Sequence, residues 1–308
     1  MKPRLLKIAR LPAMLDEALQ ATYEVVPAHQ DGSGIGPATA DIRALVANGE
    51  STVTRELMAQ LPALEMIAVF GVGYDGVDVQ AARERGIRVS NTPDVLTDDV
   101  ADFAMALLLG IARNTCAADR FTRSGAWARG PIGFSRKVSG ARLGIIGLGR
   151  IGKAIARRAQ GFDMSIAYTG RQPQAVDYAY YASVVELAAA VDFLVVAVGG
   201  GAQTFHLVDA QVLEALGPQG YLINVGRGSV VDEAALAQAL AGGKLAGAAL
   251  DVYEDEPRPH AGLLGLENVL LTPHMASATL ATRQAMSDLV MDNLQAWHDG
   301  VPLVTPVA

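Results

Sequence analysis

The 308-residue chain holds a single cysteine, Cys116. One thiol excludes an intramolecular disulfide and any multi-cysteine zinc site, and it points to a reducing compartment, by default the cytoplasm. With no histidine near it in sequence, Cys116 reads as a small buried apolar residue on a helix, not as a nucleophile. Charged residues make up only 19% of the chain and aromatics 6%, and Lys and Arg form no run anywhere. With a formal charge of -7 and an isoelectric point near 5.3, nucleic acid is not an expected partner. The longest apolar runs, such as residues 193–198, fall far short of the roughly 20 residues that a membrane-spanning helix needs. Lys2, Arg4, Lys7 and Arg10 interrupt the N-terminus, which lacks the apolar centre of a secretory signal, so neither a leader nor a membrane is expected.

Apolar residues are plentiful, at 51% with a mean hydropathy of +0.25, enough for a large core. At roughly 100 to 200 residues per domain, two domains are expected. Short β-branched runs at 42–46, 66–70, 143–146, 164–168, 193–198, 221–225 and 248–252 alternate with helical stretches, the pattern of parallel sheets. Val100, Phe103, Ala104, Leu107, Leu108 and Ile111 recur at three- and four-residue spacing behind Asp98 and Asp99, which predicts a helix over about 97–113. Asn91-Thr92-Pro93 after a strand at 87–90, and Thr272-Pro273-His274 after one at 269–271, are two candidate hinges. Beyond the second, Met286, Leu289, Val290 and Trp297 mark one face of a closing helix that needs a sheet to pack on. The fold class expected is α/β with two parallel-sheet domains, one formed by 1–91 with 276–308 and the other inserted at 92–275.

Residues 143–148 read as a buried strand running into Gly147, Leu148, Gly149, Arg150, Ile151 and Gly152, and then into a helix. This is GxGxxG in the strand–turn–helix setting that gives it meaning. The first glycine allows the tight turn, the second lets the backbone approach a pyrophosphate and the third lets helix and strand pack closely. Versions that select NAD carry an acid about 20 residues on, which binds the adenine ribose hydroxyls. Here the second strand ends in Thr169, Gly170, Arg171, Gln172 and Pro173 with no acid, and Asp163 lies at its wrong end. Arg171 offers a charge-assisted donor to a 2′-phosphate, so NADP(H) is favoured over NAD(H); a solvated surface arginine is the competing reading.

Three later strands each end near a polar residue, Arg227, Glu256 and His274 in turn. Ligands of open parallel sheets bind at the carboxyl ends of the strands. Hydride transfer to a 2-keto acid requires a cation for the carboxylate, a proton donor for the developing alkoxide and an anion that keeps the donor protonated. Arg227, His274 and Glu256 meet these needs respectively. Singly, each has a structural alternative: Arg227 sits in a turn between Gly226 and Gly228, and Glu256 in an acidic loop with Glu254 and Asp255. His29, His206, His260 and His298 lack a strand-end setting and read as structural or solvated.

The stretches GLGRIG (147–152), INVGRGSVVDE (223–233), ALDVYEDEP (249–257) and LTPHMASAT (271–279) resemble those of the D-isomer-specific 2-hydroxyacid dehydrogenases. VFGVGYDGVD (69–78) and SNTPDVLTDDVADFAMALLL (90–109) extend the resemblance, which runs from about residue 40 to the end. Within that family the chain is similar to the glyoxylate/hydroxypyruvate reductases and hydroxyphenylpyruvate reductases, and YTGRQP (168–173) resembles the NADPH-preferring ones. The resemblance implies a Rossmann domain inserted in a flavodoxin-like substrate domain, and NADPH-dependent reduction of 2-keto acids to D-2-hydroxy acids. It implies His274 as proton donor, Glu256 as its partner, Arg227 as substrate anchor and the amides of Val72 and Gly73 as a second cradle for the carboxylate. For the coenzyme it implies Gly147, Gly149, Arg150, Ile151 and Gly152 at the pyrophosphate, and Thr169, Arg171, Gln172 and Pro173 at the 2′-phosphate end. Val225 and Asp251 fall on the nicotinamide side, Val198, Gly199 and Ala276 are further coenzyme residues, and no metal is implied. Three glycines at 199–201 replace the family's Pro-Leu-Thr-Pro type of turn, which makes that loop more permissive. The segment 124–134, with Trp127, lies where related reductases join two subunits, so a homodimer is implied. The alternatives are a coenzyme-sensing protein like the corepressors that share this fold, and an NADH-preferring aryl-pyruvate reductase. Formate oxidation is disfavoured by the acid at Glu256.

Overall fold

In the computed structural model the described residues are 2–27 and 39–307, and His29 lies outside them. The chain divides into two units, Met1–Leu96 with Ala278–Ala308, and Thr97–Ser277. Both breaks fall a few residues beyond the 91/92 and 275/276 boundaries read from the turn signals, because the long helix and not the proline opens the inserted unit.

In the first unit, β1 (Arg4–Lys7), β2 (Glu24–Pro27), β3 (Ala44–Asn48), β4 (Met66–Phe70) and β5 (Arg88–Ser90) form a parallel sheet in the order β2-β1-β3-β4-β5. That is the flavodoxin-like order. β4 is buried along its whole length, which is why it reads as an uninterrupted apolar run with no alternation. The connections hold α1 (Ala13–Thr22), α2 (Arg55–Ala59) and α3 (Val79–Glu84). Thr54 and Asp78 cap α2 and α3 by accepting the amide hydrogens of Leu57 and Ala81.

The second unit opens with α4 (Thr97–Ala112), which buries Val100, Ala104, Leu107, Leu108 and Ile111 and packs against the strands of its own sheet. Then α5 (Thr115–Arg123) starts at a left-handed Asn114 (φ 51) and has no buried residue. Cys116 is therefore exposed, contrary to the expectation of a buried thiol: the turn at Asn114 carries this residue onto a surface helix. The seven strands are β6 (Arg142–Ile146), β7 (Ser165–Thr169), β8 (Ala179–Tyr180), β9 (Phe193–Val196), β10 (Tyr221–Asn224), β11 (Gly247–Leu250) and β12 (Val269–Leu271). All neighbouring pairs are parallel, in the order β12-β11-β10-β9-β6-β7-β8, which is the doubly wound Rossmann arrangement with its switch point between β6 and β9. The helices α6 (Arg150–Gln160), α7 (Val184–Ala190), α8 (Ala210–Leu216) and α9 (Glu233–Ala241) fill the crossovers. Asp98 and Asp102 near the start of α4 pair with Arg158 at the end of α6, so Asp98, one of the two acids expected to favour the helix N-terminus, also joins two helices.

The closing helix α10 (Leu280–His298) belongs to the first unit and packs on β4, burying Met286, Val290, Leu294 and Trp297. Its buried Asn293 exchanges hydrogen bonds with Thr305, and the tail beyond pairs Pro306 with Ser90 of β5. Among the described residues no single helix is long and apolar enough to cross a membrane.

Candidate active site

The glycine motif occupies the turn from β6 to α6. Gly147 adopts φ 94, a conformation L side chains rarely take, and a Cβ there would lie 2.9 Å from the Ala197 oxygen. A Cβ on Gly152 would lie 2.2 Å from the Gly147 oxygen, so α6 approaches the loop only because Gly152 carries no side chain. Gly149 opens α6, and a Cβ there would meet nothing within 4 Å. Open space in front of bare helix-terminal amides fits a pyrophosphate. Beside it, Thr169 at the end of β7 is buried and its carbonyl accepts the Gly147 amide hydrogen at 3.0 Å. The exposed Arg171, Gln172 and Pro173 follow, in a turn held at both ends. Tyr180 donates to the Gly170 oxygen at 3.2 Å, while the Gln174 amide donates to the Tyr168 hydroxyl at 2.6 Å and its side chain to the Leu148 oxygen at 2.9 Å. Nothing in the sequence singled out Gln174, because its partners lie six and 26 residues away.

His274 follows β12 at φ 50, with its amide donating to the Asp251 oxygen at 2.8 Å. Its Nδ1 lies 2.7 Å from Glu256 Oε2, and the other Glu256 oxygen accepts the Tyr253 amide hydrogen at 2.9 Å. The His274 side chain is 34% exposed and that of Glu256 17%, so the pair is half-shielded from water but reachable. Asp251 is fully buried and accepts from the Thr272 hydroxyl at 2.7 Å and from the amides of Met275 and Ala276 at 2.9 and 2.8 Å. It caps the turn that carries His274, and it engages the Ala276 amide in doing so. Tyr253 bridges the same two strands, donating to the oxygens of Leu250 and Thr272. Burial pushes its phenol up to about 12, which keeps it a donor.

Arg227 stands between glycines that the packing demands. Asn224, buried at the end of β10, donates to the Arg227 oxygen at 2.9 Å and accepts the Gly226 amide hydrogen at 3.0 Å. A Cβ on Gly226 would lie 2.5 Å from the Val198 oxygen, and one on Gly228 would lie 1.8 Å from the Tyr253 carbonyl carbon. The loops after β9, β10 and β11 thus touch backbone to backbone, which brings Val198, Val225, Arg227 and the Glu256 loop together. Glu233, in the first turn of α9 and buried, accepts the amide hydrogens of Glu254 at 2.7 Å and His260 at 3.0 Å, bracing that loop from behind. The glycine-rich loop is held by Thr204, whose hydroxyl donates to the Gly199 oxygen at 2.8 Å.

In the first unit, Gly71 donates to the Thr92 hydroxyl at 3.0 Å, Thr92 donates back to the Gly71 oxygen at 2.9 Å and Asn91 donates to the Val72 oxygen at 2.8 Å. Asn91 and Thr92, read in the sequence as a turn-like break, also shape the loop that presents Val72 and Gly73. Of the remaining histidines, the ring of His260 accepts from the Gly262 amide and His298 lies in the last turn of α10. The His206 ring lies against the carboxylate of Glu254, a contact no sequence signal announced.

A family model for the NAD binding domain of D-isomer specific 2-hydroxyacid dehydrogenases matches residues 105–276. Hydroxyphenylpyruvate reductase from Plectranthus scutellarioides is 51% identical over 267 residues, covering 86% of this chain and 85% of that protein. A glyoxylate/hydroxypyruvate reductase from Arabidopsis thaliana is 52% identical over 268 residues, covering 86% and 85%. The crystal structure of an NADPH-dependent glyoxylate/hydroxypyruvate reductase from Sinorhizobium meliloti, in complex with NADP and malonate, matches with a TM-score of 0.94 at 47% identity over 100% of this chain and 97% of that one. With these relatives, two parallel sheets and a glycine cradle, the chain belongs to the D-isomer-specific 2-hydroxyacid dehydrogenases.

Proposed function

We propose that the protein is an NADPH-dependent reductase of small 2-keto acids, glyoxylate or hydroxypyruvate among them, giving the D-2-hydroxy acid. The observation that carries this reading is the His274 Nδ1 to Glu256 Oε2 contact of 2.7 Å at the carboxyl end of a Rossmann sheet. The reduced nicotinamide, when bound, supplies the hydride. The guanidinium of Arg227 holds the substrate carboxylate. With Nδ1 turned to Glu256, Nε2 of His274 is the ring atom that passes a proton to the oxygen on C2. Glu256 stabilises the imidazolium before transfer and keeps the remaining proton on Nδ1 afterwards, as an orienting carboxylate does elsewhere. Asp251 holds the turn on which His274 rides.

Two features support NADPH: no acid stands at 169–173, and Arg171 is exposed on a turn that Tyr168, Tyr180 and Gln174 pre-organise. The similar Sinorhizobium meliloti enzyme is NADPH-dependent. Arg171→Ala is expected to raise the KM for NADPH about tenfold or more, the scale of a lost charge-assisted contact, and to leave that for NADH within about twofold. Equal loss with both coenzymes would show that Arg171 does not read the 2′-phosphate. Initial rates with NADPH and NADH against glyoxylate, hydroxypyruvate, 4-hydroxyphenylpyruvate and pyruvate test the function itself. Tight coenzyme binding without turnover would replace it by the coenzyme-sensing alternative. Trp127, Ile132 and Phe134 are exposed, and α5 buries nothing, which supports a homodimer through this segment. Light scattering is then expected to give twice the 32.2 kDa chain mass, and a single-chain mass would rule the dimer out.

A further inference from the structure

His206 lies outside the set of residues that touch substrate or coenzyme in the reading above, yet it stands where three of their loops meet. Its amide donates to the Ser229 oxygen at 2.9 Å, two residues beyond Arg227. The pairing continues as Val208 donates to Val230 at 2.9 Å and Asp232 to Val208 at 3.0 Å, so residues 206–208 are zipped along the loop that follows β10. On its N-terminal side, Thr204 closes the glycine-rich turn through the Gly199 oxygen. The ring then reaches across to a third loop: Nε2 lies 2.5 Å from Glu254 Oε1, while Nδ1 faces Asp232 Oδ2 at 3.9 Å. Phe205 stacks on the same ring at a centroid distance of 4.0 Å. The backbone pays a conformational cost for this placement, because His206 sits at φ 49.

Glu254 is consequently gripped from two sides. Glu233 takes its amide hydrogen and His206 its carboxylate, and two residues later the chain reaches Glu256, the partner of His274. Gly228 presses on the Tyr253 and Glu254 backbone from the Arg227 side. We propose that His206 and Glu254 form a positioning pair that locks the Arg227 loop to the Glu256 loop, fixing the substrate anchor and the proton donor in one geometry. The proposal rests on the reductase reading above. It assigns to His206 a role through other residues, without contact to substrate.

The pair predicts a loss of turnover without loss of coenzyme binding, since a displacement of about 1 Å at reacting groups can cost on the order of 100-fold in rate. The full-length protein is compared as wild type, His206→Asn, Glu254→Gln and the double variant, with 2-keto acid turnover, NADPH affinity by fluorescence titration and melting temperature all measured. Asn tolerates the left-handed backbone but is too short to reach Glu254, and Glu254→Gln removes the charge with the shape kept. Each single variant is expected to lose fivefold or more in kcat with NADPH affinity within twofold of wild type, and the double variant to be no slower than the worse single. The primary isotope effect from 4-deuterated NADPH is expected to change along with kcat. A loss below fivefold in both singles, multiplied losses in the double variant, or NADPH affinity falling in step with kcat would overturn the pair. Should His206→Asn fail to fold, Glu254→Gln decides alone by the same limits. Absence of wild-type turnover would instead overturn the reductase reading, so the two failures are distinguishable.

Discussion

Replacing His274 by Gln is expected to lower kcat with any 2-keto acid by about 10³-fold or more, with NADPH affinity unchanged within about twofold. Gln can keep a hydrogen bond towards Glu256, which accepts from the Tyr253 amide in any case, so the loop has no reason to collapse. What Gln cannot do is hold a transferable proton, and general acid catalysis by a placed side chain is worth roughly 10²- to 10⁴-fold. The His274 backbone is at φ 50, so part of any loss could come from strain and not from chemistry. His274→Asn, which tolerates that backbone, separates the two, because it is expected to be as slow as His274→Gln. Steady-state rates with NADPH titrations on both variants make the check, and turnover close to wild type in either would remove His274 from the mechanism.

Gly228→Ala is the second large effect. A Cβ there would lie 1.8 Å from the Tyr253 carbonyl carbon and 2.4 Å from the Glu254 nitrogen, both of them backbone atoms that no rotamer change can move aside. The Arg227 loop and the Glu254 loop must separate. Overpacking of this kind costs about 3 kcal/mol or more, which for a unit of this size lowers Tm on the order of 10 °C. Activity is expected to fall about 100-fold at temperatures where the variant is still folded, because Arg227 and Glu256 lie on the two loops that part. Gly149→Ala would meet nothing within 4 Å, so it is a control expected to leave Tm unchanged. A Gly228→Ala protein with the melting temperature and rate of wild type would contradict the packing described for this site.

β4 and β6 were legible almost to the residue, because strands buried on both faces leave continuous apolar runs between turn signals, whereas the half-buried edge strand β12 was legible from the Thr272-Pro273 break that ends it. The GxGxxG turn was legible because, within six residues, Gly147 and Gly152 answer steric demands and Gly149 leaves open space before the helix-terminal amides. His274, Glu256 and Arg227 could be placed at strand ends, and the fold brings His274 and Glu256 into contact. Asn224, Glu233, Gln174 and His206 were not legible as site residues. Glu233, Gln174 and His206 act through hydrogen bonds to groups distant in the chain, as when Glu233 reaches the amide of Glu254, 21 residues on, while Asn224 acts through a local turn to Gly226 and Arg227 that leaves no pattern in the residue types. Cys116 was misread for a related reason. Its helix has a periodicity that says nothing about which side meets solvent once the chain turns at Asn114. The two-residue β8 is too short to leave any alternation at all.

Direct hydride transfer from a nicotinamide to C2 of a 2-keto acid is the step on which the proposed function depends. Its most direct test is to run the purified protein with NADPH carrying deuterium at both C4 positions and glyoxylate or hydroxypyruvate, then to determine the isotope content and configuration of the product at C2. Direct transfer places one deuterium at C2, bound in the glycolate from glyoxylate and, with hydroxypyruvate, in a product that is entirely the D isomer. Solvent hydrogen at C2, an L or racemic product, or no product despite bound coenzyme would contradict it.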